Sequence, residues 1–408
     1  NYLILSISLF TLSSFLCGIA WSIPSIVIFR VLQGIGGGGL QPISQAILLE
    51  TFPKEQHGIA MAVFRTGIIF GPIIGPLLGG WITDNWSWHW IFFINIPIGI
   101  ISILMTLLFI KDPAWAKRAP MKIDYIGLAA VSLGVGALQI LLDQGQLKDW
   151  FSSKLIQTLA VISFLSLSFF VVWESKSKSP VIDLRLFRYK SFSLGNGALF
   201  FTFFCLFGTI ILLPLYLQEL MGYTAYLTGL VLGPGGVVTI ISLWIAGRMV
   251  NRVYPAFIAI FGLLINAVAC YQMSKFNLQA DFLSLVIPRV VLGFGMGFVF
   301  IPLTIASLAQ VKKEETSMAT SVISFLRNIG GSFGTAFVST LLARKAQMYQ
   351  TYLVENLTPY DIPYQLGFEK IKAFLSFKGF SEPLLTKISQ GAVYKELIRQ
   401  SMMLSFNT

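Results

Sequence analysis

Apolar runs of about 20 residues recur along this chain, and they limit what it can fold into more than any other feature. As a helix, a run of that length crosses the ~30 Å hydrocarbon core of a bilayer. Backbone groups in lipid must be paired within the protein, which leaves helices or a closed barrel. Barrel strands are short and alternate apolar with polar residues; these runs do neither. The spacing predicts spans near 2–21, 24–51, 58–81, 90–110, 125–142, 155–173, 192–216, 227–247, 255–272, 283–310 and 317–342. Only 12% of residues are charged and 55% are hydrophobic, whereas soluble domains carry about 25% charge. The fold class expected is an all-α polytopic membrane protein.

The net charge of +11 would point to nucleic acid in a soluble chain. Here the basic residues collect in alternate loops, as cytoplasmic loops do. One set holds Lys54, then Lys111, Lys117, Arg118 and Lys122, then Lys176, Lys178, Arg185, Arg188 and Lys190. It continues with Arg248, Arg252, Lys312 and Lys313. The opposite short loops hold only Lys148, Lys154 and Lys275, so the first set lies inside and the first span runs outwards. Trp81, Trp86, Trp88 and Trp90 then gather at the outer interface. Nucleic acid is not an expected partner. Cys17, Cys205 and Cys270 sit singly in apolar runs, and His57 and His89 are isolated, so neither a metal site nor a cofactor is expected. The chain opens at Asn1 and enters an apolar helix at once, which reads as a fragment; no signal peptide is visible.

Residues 30–42, "RVLQGIGGGGLQP", contain G-x-G-x-x-G at Gly34, Gly36 and Gly39. A dinucleotide loop needs a preceding strand within a βαβ unit. The flanking residues form a membrane stretch instead, starting near Pro24. Glycines there let a neighbouring backbone approach closely. The segment has an echo, "RVVLGFGMGFVFIP" from Arg289, in which Gly34 and Gly36 match Gly293 and Gly295. In the following spans Gly71 and Gly75 match Gly330 and Gly334 at the same offset. Two homologous bundles follow, of the kind found in transporters built from parallel repeats. The two spans between 125 and 173 fall outside the repeat as an insert.

Arg30 lies in the outer third of its span, where a charge costs roughly 2.5–3.5 kcal/mol on insertion scales. It is expected to face a cavity or a partner, or to snorkel outwards, with Gln33 on the same face. In "GIIFGPIIGPLLGG", Gly71, Gly75 and Gly79 form one stripe along a helix, and Pro72 and Pro76 bend it. Such a helix packs tightly on a partner and can gate. Acids at or near membrane depth are Glu50, Asp143, Asp149 and Glu219; proton coupling needs one of this kind. Arg65 is left unassigned. Phe200, Phe203 and Phe204 belong to an aromatic stripe suited to apolar or cationic compounds, or to lipid. Residues 343–400 read as a polar outer segment, and 401–408 as the opening of a further helix.

The segments "RVLQGIGGGG", "GPIIGPLLGGWITDNWSWHWIFFINIPIG", "LQILLDQGQLKDWFSS" and "LPLYLQELMGYTAYLTGL" together resemble the major facilitator superfamily, and within it the fourteen-helix drug:proton antiporters of the EmrB/QacA type. The resemblance covers essentially the whole chain, as third to thirteenth helices. It implies two pseudo-symmetric bundles with a two-helix insert. The bundles would occupy 1–110, lacking its first two helices, and 191–342; the insert 111–190; and the outer segment 343–408. It further implies that Arg30, Gln33 and Gly34 carry the proton-transfer motif. Gly71, Pro72, Gly75, Pro76, Gly79 and Gly80 would carry the antiporter motif. The implied activity is proton-driven export of hydrophobic or amphiphilic compounds across the bacterial inner membrane, with hydrophobic or cationic small molecules as substrates. Partners would be a periplasmic adaptor of the membrane-fusion type and an outer-membrane channel. A transporter of another small molecule, such as a siderophore or metabolite, and a non-transporting scaffold are the alternatives. An enzyme is not expected.

Overall fold

A computed structural model describes residues 2–110, 124–177, 180–312, 315–355, 357–358, 360–377 and 384–407. Lys111, Lys117, Arg118, Lys122, Lys178 and Lys313 lie outside the described residues. Among the described residues there are helices and no strand. In the first part these are α1 (Tyr2–Gly18), α2 (Ile23–Gly38), α3 (Leu40–Thr51), α4 (His57–Asn85), α5 (Trp90–Phe93) and α6 (Asn95–Phe109). Then come α7 (Tyr125–Gly145), α8 (Lys154–Lys176), α9 (Lys190–Leu215), α10 (Ala225–Met249), α11 (Pro255–Met273) and α12 (Phe282–Leu308). The chain continues with α13 (Thr316–Glu355), α14 (Ile362–Phe377) and α15 (Leu384–Phe406). Every apolar run read from the sequence falls on a helix, and side chains such as Leu107, Phe109, Phe164 and Phe201 project from the outer surface.

Two runs are interrupted. The span 24–51 divides at Gly39 and the span 90–110 at Ile94. Each break follows the carbonyl that a proline four residues on leaves unpaired, Gly38 for Pro42 and Phe93 for Pro97, because proline has no N–H to give. α2 starts on a reciprocal cap, in which the Ser22 hydroxyl accepts from the Ser25 N–H (3.3 Å) and the Ser25 hydroxyl accepts from the Ser22 N–H (3.1 Å). The G-x-G-x-x-G letters therefore lie in and at the end of a helix, not in a phosphate loop. α9 closes through a π-turn over Tyr216–Leu220, and Gly222 at φ +70° stops it while the Tyr223 N–H reaches the Leu217 carbonyl (2.9 Å).

Lipid supplies no hydrophobic drive between helices, so small residues and close backbone contact carry the packing. α12 is flanked by α9, α10 and α11. A Cβ at Gly293 would run into Gly235 of α10, and one at Gly295 would lie 2.8 Å from the Gly262 carbonyl of α11. In the first half α2 packs on α1 in the corresponding way, with Gly36 against the backbone of Phe10. The repeat is thus visible as the same helix pair built twice, α1 with α2 and α11 with α12. α7 and α8 form a hairpin that rests on α13, where the Ser332 hydroxyl donates to Gln139 (2.6 Å).

α13 is 40 residues long, about 60 Å at 1.5 Å per residue and twice the hydrocarbon core. The polar stretch after 342 does not end the helix; it continues outwards to Glu355. α14 and α15 pack beside this extension and enclose a cavity of about 320 Å³ lined by Leu353, Tyr364, Ile371 and Leu397. Residues 401–406 form the last turns of α15. Its end docks on the π-turn after α9, with Arg399 Nε donating to the Leu220 carbonyl (3.1 Å) and Phe406 edge-on to Tyr216 (5.7 Å).

Candidate functional site

The first half meets the second where the inner end of α4 crosses α10. Gly58 and Gly247 touch backbone to backbone: a Cβ on Gly247 would lie 2.5 Å from the Gly58 carbonyl. Asn251 donates to the Glu55 carbonyl at the same level. Two turns further in, about 12 Å from the start of α4 at 1.5 Å per residue, stands Arg65. It is 4% exposed, and its Nη2 donates to the Thr304 hydroxyl of α12 (3.5 Å). Its guanidinium carbon lies 5.9 Å from the ring centre of Phe300.

α13 brings a second arginine to this layer. Arg327 is 3% exposed, donates to the Gln41 side-chain carbonyl of α3, and lies 5.1 Å from the ring centre of Phe203. Phe203 and Phe300 lie tilted against each other, with centroids 5.3 Å apart and planes at 32°. The order is therefore arginine, ring, ring, arginine, with one arginine from each half. Thr320 adds a hydrogen bond to the Pro42 carbonyl (3.3 Å). Gln45 of α3 is fully buried, and neither amide atom has a partner; Arg65 Nε and Arg327 Nη1 are likewise buried and unpartnered. Among the described residues the ion pairs are Arg344–Asp149 and Arg399–Glu396, both in the outer part.

The residues singled out from the sequence are dispersed. Arg30 is exposed, hydrogen-bonds Gln33 (3.3 Å) and sits over Phe92 (4.6 Å). Gln33 is buried and donates to Ser14, which also accepts from Asn95 (3.3 Å). Among the described residues, a Cβ at Gly34, Gly71, Gly75 or Gly79 would have no neighbour within 4 Å. The closest approach of α10 to α4 is the Gly58–Gly247 contact at the inner end. α4 is a continuous helix through this region; the side-chain surroundings of Pro72 and Pro76, and those of Gly80, lie outside the described residues.

Asp143 is exposed at the outer end of α7 and accepts from Gln139 (3.1 Å), and Glu219 is exposed in the π-turn. Neither is brought to Arg30. Arg289 is half-buried, with its Nε unpartnered, and Gly293 serves the α10–α12 contact. The aromatic stripe divides. Phe203 joins the arginine layer, while Phe200 and Phe204 pack on Phe333 and Phe337 of α13 (6.2 and 5.5 Å). Sequence reasoning passed over Arg327 and left Arg65 without a role. The depth argument applied to Arg30 applies equally to both.

Residues 1–335 match the Major Facilitator Superfamily. The chain belongs to this superfamily. It is 38% identical to the fatty acid resistance protein FarB of Neisseria gonorrhoeae over 374 residues, 91% of this chain and 73% of that protein. It is 34% identical to the multidrug export protein EmrB of Escherichia coli K12 over 399 residues, 98% of this chain and 76% of that protein. Among solved structures, the crystal structure of the human organic anion transporter MFSD10 aligns with a TM-score of 0.61 at 14% identity, over 83% of this chain and 70% of that one. At that identity the likeness is one of fold. The chain is a multi-pass membrane protein of the major facilitator fold, and the arginine layer lies at the contact between its two halves.

Proposed function

We propose that this major facilitator protein exports hydrophobic and amphiphilic compounds across the bacterial inner membrane by alternating access, driven by protons. One observation carries the reading. Among the described residues the hydrogen bonds between the halves, Asn251–Glu55, Arg65–Thr304, Arg327–Gln41 and Thr320–Pro42, run from the inner rim of α4 and α10 to about mid-depth, where α13 meets the start of α3, and none lies in the outer third. A contact confined to one end is a contact two rigid bodies can break by rocking. The Gly71–Gly79 stripe stands open on α4 and is available to close the outer end when the inner end parts. The relatives named for multidrug export and fatty acid resistance support an amphiphilic substrate.

Arg30 with Gln33 is the motif we assign to proton transfer. Asp143 and Glu219 stay candidates for the proton-carrying acid in this reading, and Arg289 with Gly293 is the structural counterpart in the second half. The division into bundles at 1–110 and 191–342, an insert at 111–190 and an outer segment from 343 belongs to the same proposal. The outer layer of α13, α14 and α15 is the surface assigned to a periplasmic adaptor and, through it, an outer-membrane channel. The deciding experiment uses inverted vesicles bearing the full-length protein and an amphiphilic dye. Dye accumulation that an uncoupler abolishes supports the reading, and accumulation indifferent to the uncoupler overturns it.

A further inference from the structure

Two arginines and two carboxylates ring one cavity where the chain passes from the α7–α8 hairpin into α9. Asp183 accepts from the Arg185 N–H (2.9 Å) and so starts a short 3-10 turn over Leu184–Arg188. With three residues per turn, side chains at i and i+3 of such a turn lie one above the other. Arg185 and Arg188 therefore share a face and are exposed, while Leu186 between them is buried in the core. The turn is fastened to the start of α13. The Asp183 N–H donates to Met318 Sδ (3.2 Å), and the Tyr189 hydroxyl donates to Glu315 (3.5 Å). The cavity has a volume of about 340 Å³ and is lined by Asp183, Arg185, Leu186, Arg188, Tyr189 and Glu315. Ligand sites span roughly 300–1,000 Å³.

The charges around it are two of each sign, and among the described residues none of the four is in an ion pair. The fold holds them apart around a space instead of against one another. A simple anion placed there meets two carboxylates, and a simple cation meets two guanidinium groups, so each is disfavoured. A zwitterion satisfies both. Guanidinium forks match the oxygens of a phosphate, and a primary ammonium has three N–H donors for carboxylate acceptors.

The position of the cavity selects the source of that zwitterion. α9 begins at Lys190, directly after the turn, and the stretch Lys190–Leu220 is long and apolar enough to cross a bilayer. Leu194 (75% exposed) and Phe201 are seven residues apart, hence on one face of α9, and both project outwards where acyl chains run. Headgroups then stand at the level of the turn. We propose that Arg185, Arg188, Asp183 and Glu315 form a headgroup site for an aminophospholipid, its phosphate on the arginines and its ammonium on the carboxylates. The lipid bridges the end of the hairpin, α9 and α13. The site lies apart from the Arg65–Arg327 layer and does not depend on what the protein carries.

The test reads lipid retention. Full-length protein in detergent is mixed with equal amounts of phosphatidylethanolamine, phosphatidylcholine and phosphatidylglycerol, and bound lipid is counted by native mass spectrometry. Phosphatidylethanolamine is expected to be retained above both others, since choline has no N–H to donate and glycerol no positive charge. The double variant Arg185→Gln/Arg188→Gln lowers its retention by about tenfold, as loss of hydrogen bonds to a charged group does. The double Lys variant at the same positions keeps part of it. Glu315→Gln shifts the preference from phosphatidylethanolamine towards phosphatidylglycerol, a reversal that loosely held surface lipid does not show. Arg252→Gln, an exposed basic residue elsewhere on the inner rim, leaves the preference unchanged. Size-exclusion profile and thermal midpoint show that the variants are folded. Equal retention of the three lipids by the wild type overturns the proposal, as does phosphatidylglycerol above phosphatidylethanolamine, or full preference in the double Gln variant. Free phosphoethanolamine that displaces the lipid at equal concentration makes the ligand a soluble compound and also overturns it.

Discussion

Arg327 of α13 donates a hydrogen bond to Gln41 of α3, across 286 residues of chain and across the contact between the two halves. Both residues lie at membrane depth, and Arg327 is 3% exposed. Gln41→Ala removes a neutral acceptor from a buried cation, a loss of about 1–3 kcal/mol. The thermal midpoint of the full-length protein in detergent is expected to fall well beyond that of an exposed control such as Gln347→Ala. Gln41→Glu supplies a charge of opposite sign. It is expected to raise the midpoint and slow transport, because the inner contact then becomes too favourable to break.

Gly58 and Gly247 allow the inner ends of α4 and α10 to meet backbone to backbone. Gly58→Val forces side-chain atoms into the Gly247 carbonyl, an overpacking cost of about 1–3 kcal/mol. The balance between closed and open inner ends should shift by about tenfold. A cysteine placed at Asn251, on the inner rim, should then react faster with a membrane-impermeant thiol reagent in inverted vesicles. Unchanged labelling would count against this contact as the inner closure.

Gly71, Gly75 and Gly79 have free space around their Cα atoms. Gly75→Val should leave the thermal midpoint within the small range of surface substitutions, about 0.5 kcal/mol. Transport should nevertheless fall sharply, since the stripe is needed in the alternate closure. A variant that keeps wild-type efflux would remove the stripe from the gating mechanism.

Asp124 caps α7 by accepting from the Gly127 N–H (2.9 Å), and it accepts from Trp173 Nε1 (2.8 Å) and the Ser177 hydroxyl (3.1 Å) beyond the end of the hairpin. The Gly127 N–H first, then the Trp173 and Ser177 donors, hold its carboxyl below the ordinary carboxylate range. A depressed folded value means the stabilisation is complete above the unfolded pKa, about 3.9, and is lost as pH falls through the folded value. The fluorescence difference between wild type and Trp173→Phe should therefore stay level at neutral pH and change only in strong acid. In Asp124→Ala that acid transition should disappear.

The helical path of the glycine segment was legible in the sequence because it depends on local facts. Apolar flanks longer than a strand, a proline near Pro24 and a run of the right length leave no room for a βαβ unit. The expected orientation rests on a local fact of the same kind, the distribution of Lys and Arg among loops. The divisions at Gly39 and Ile94 were legible in principle and missed. Their signal is a proline four residues on, not a change in hydropathy.

The tertiary structure decided which charges share a layer. Arg30 and Gln33 were found because they are close in sequence and carry a motif. Arg65 and Arg327 were not, because they come from different halves and no periodicity relates them. Each is one charge on an apolar helix, and its meaning depends on which helix lies opposite. The same holds for the glycines: Gly36 and Gly295 are filled by a neighbouring backbone while Gly71, Gly75 and Gly79 are not, although the sequence spaces all of them alike. Length and hydropathy act along the chain, so the sequence alone determined the membrane class and the helices. The pairing of side chains across the bundle arises only when helices distant in sequence pack, and that was decided by the fold.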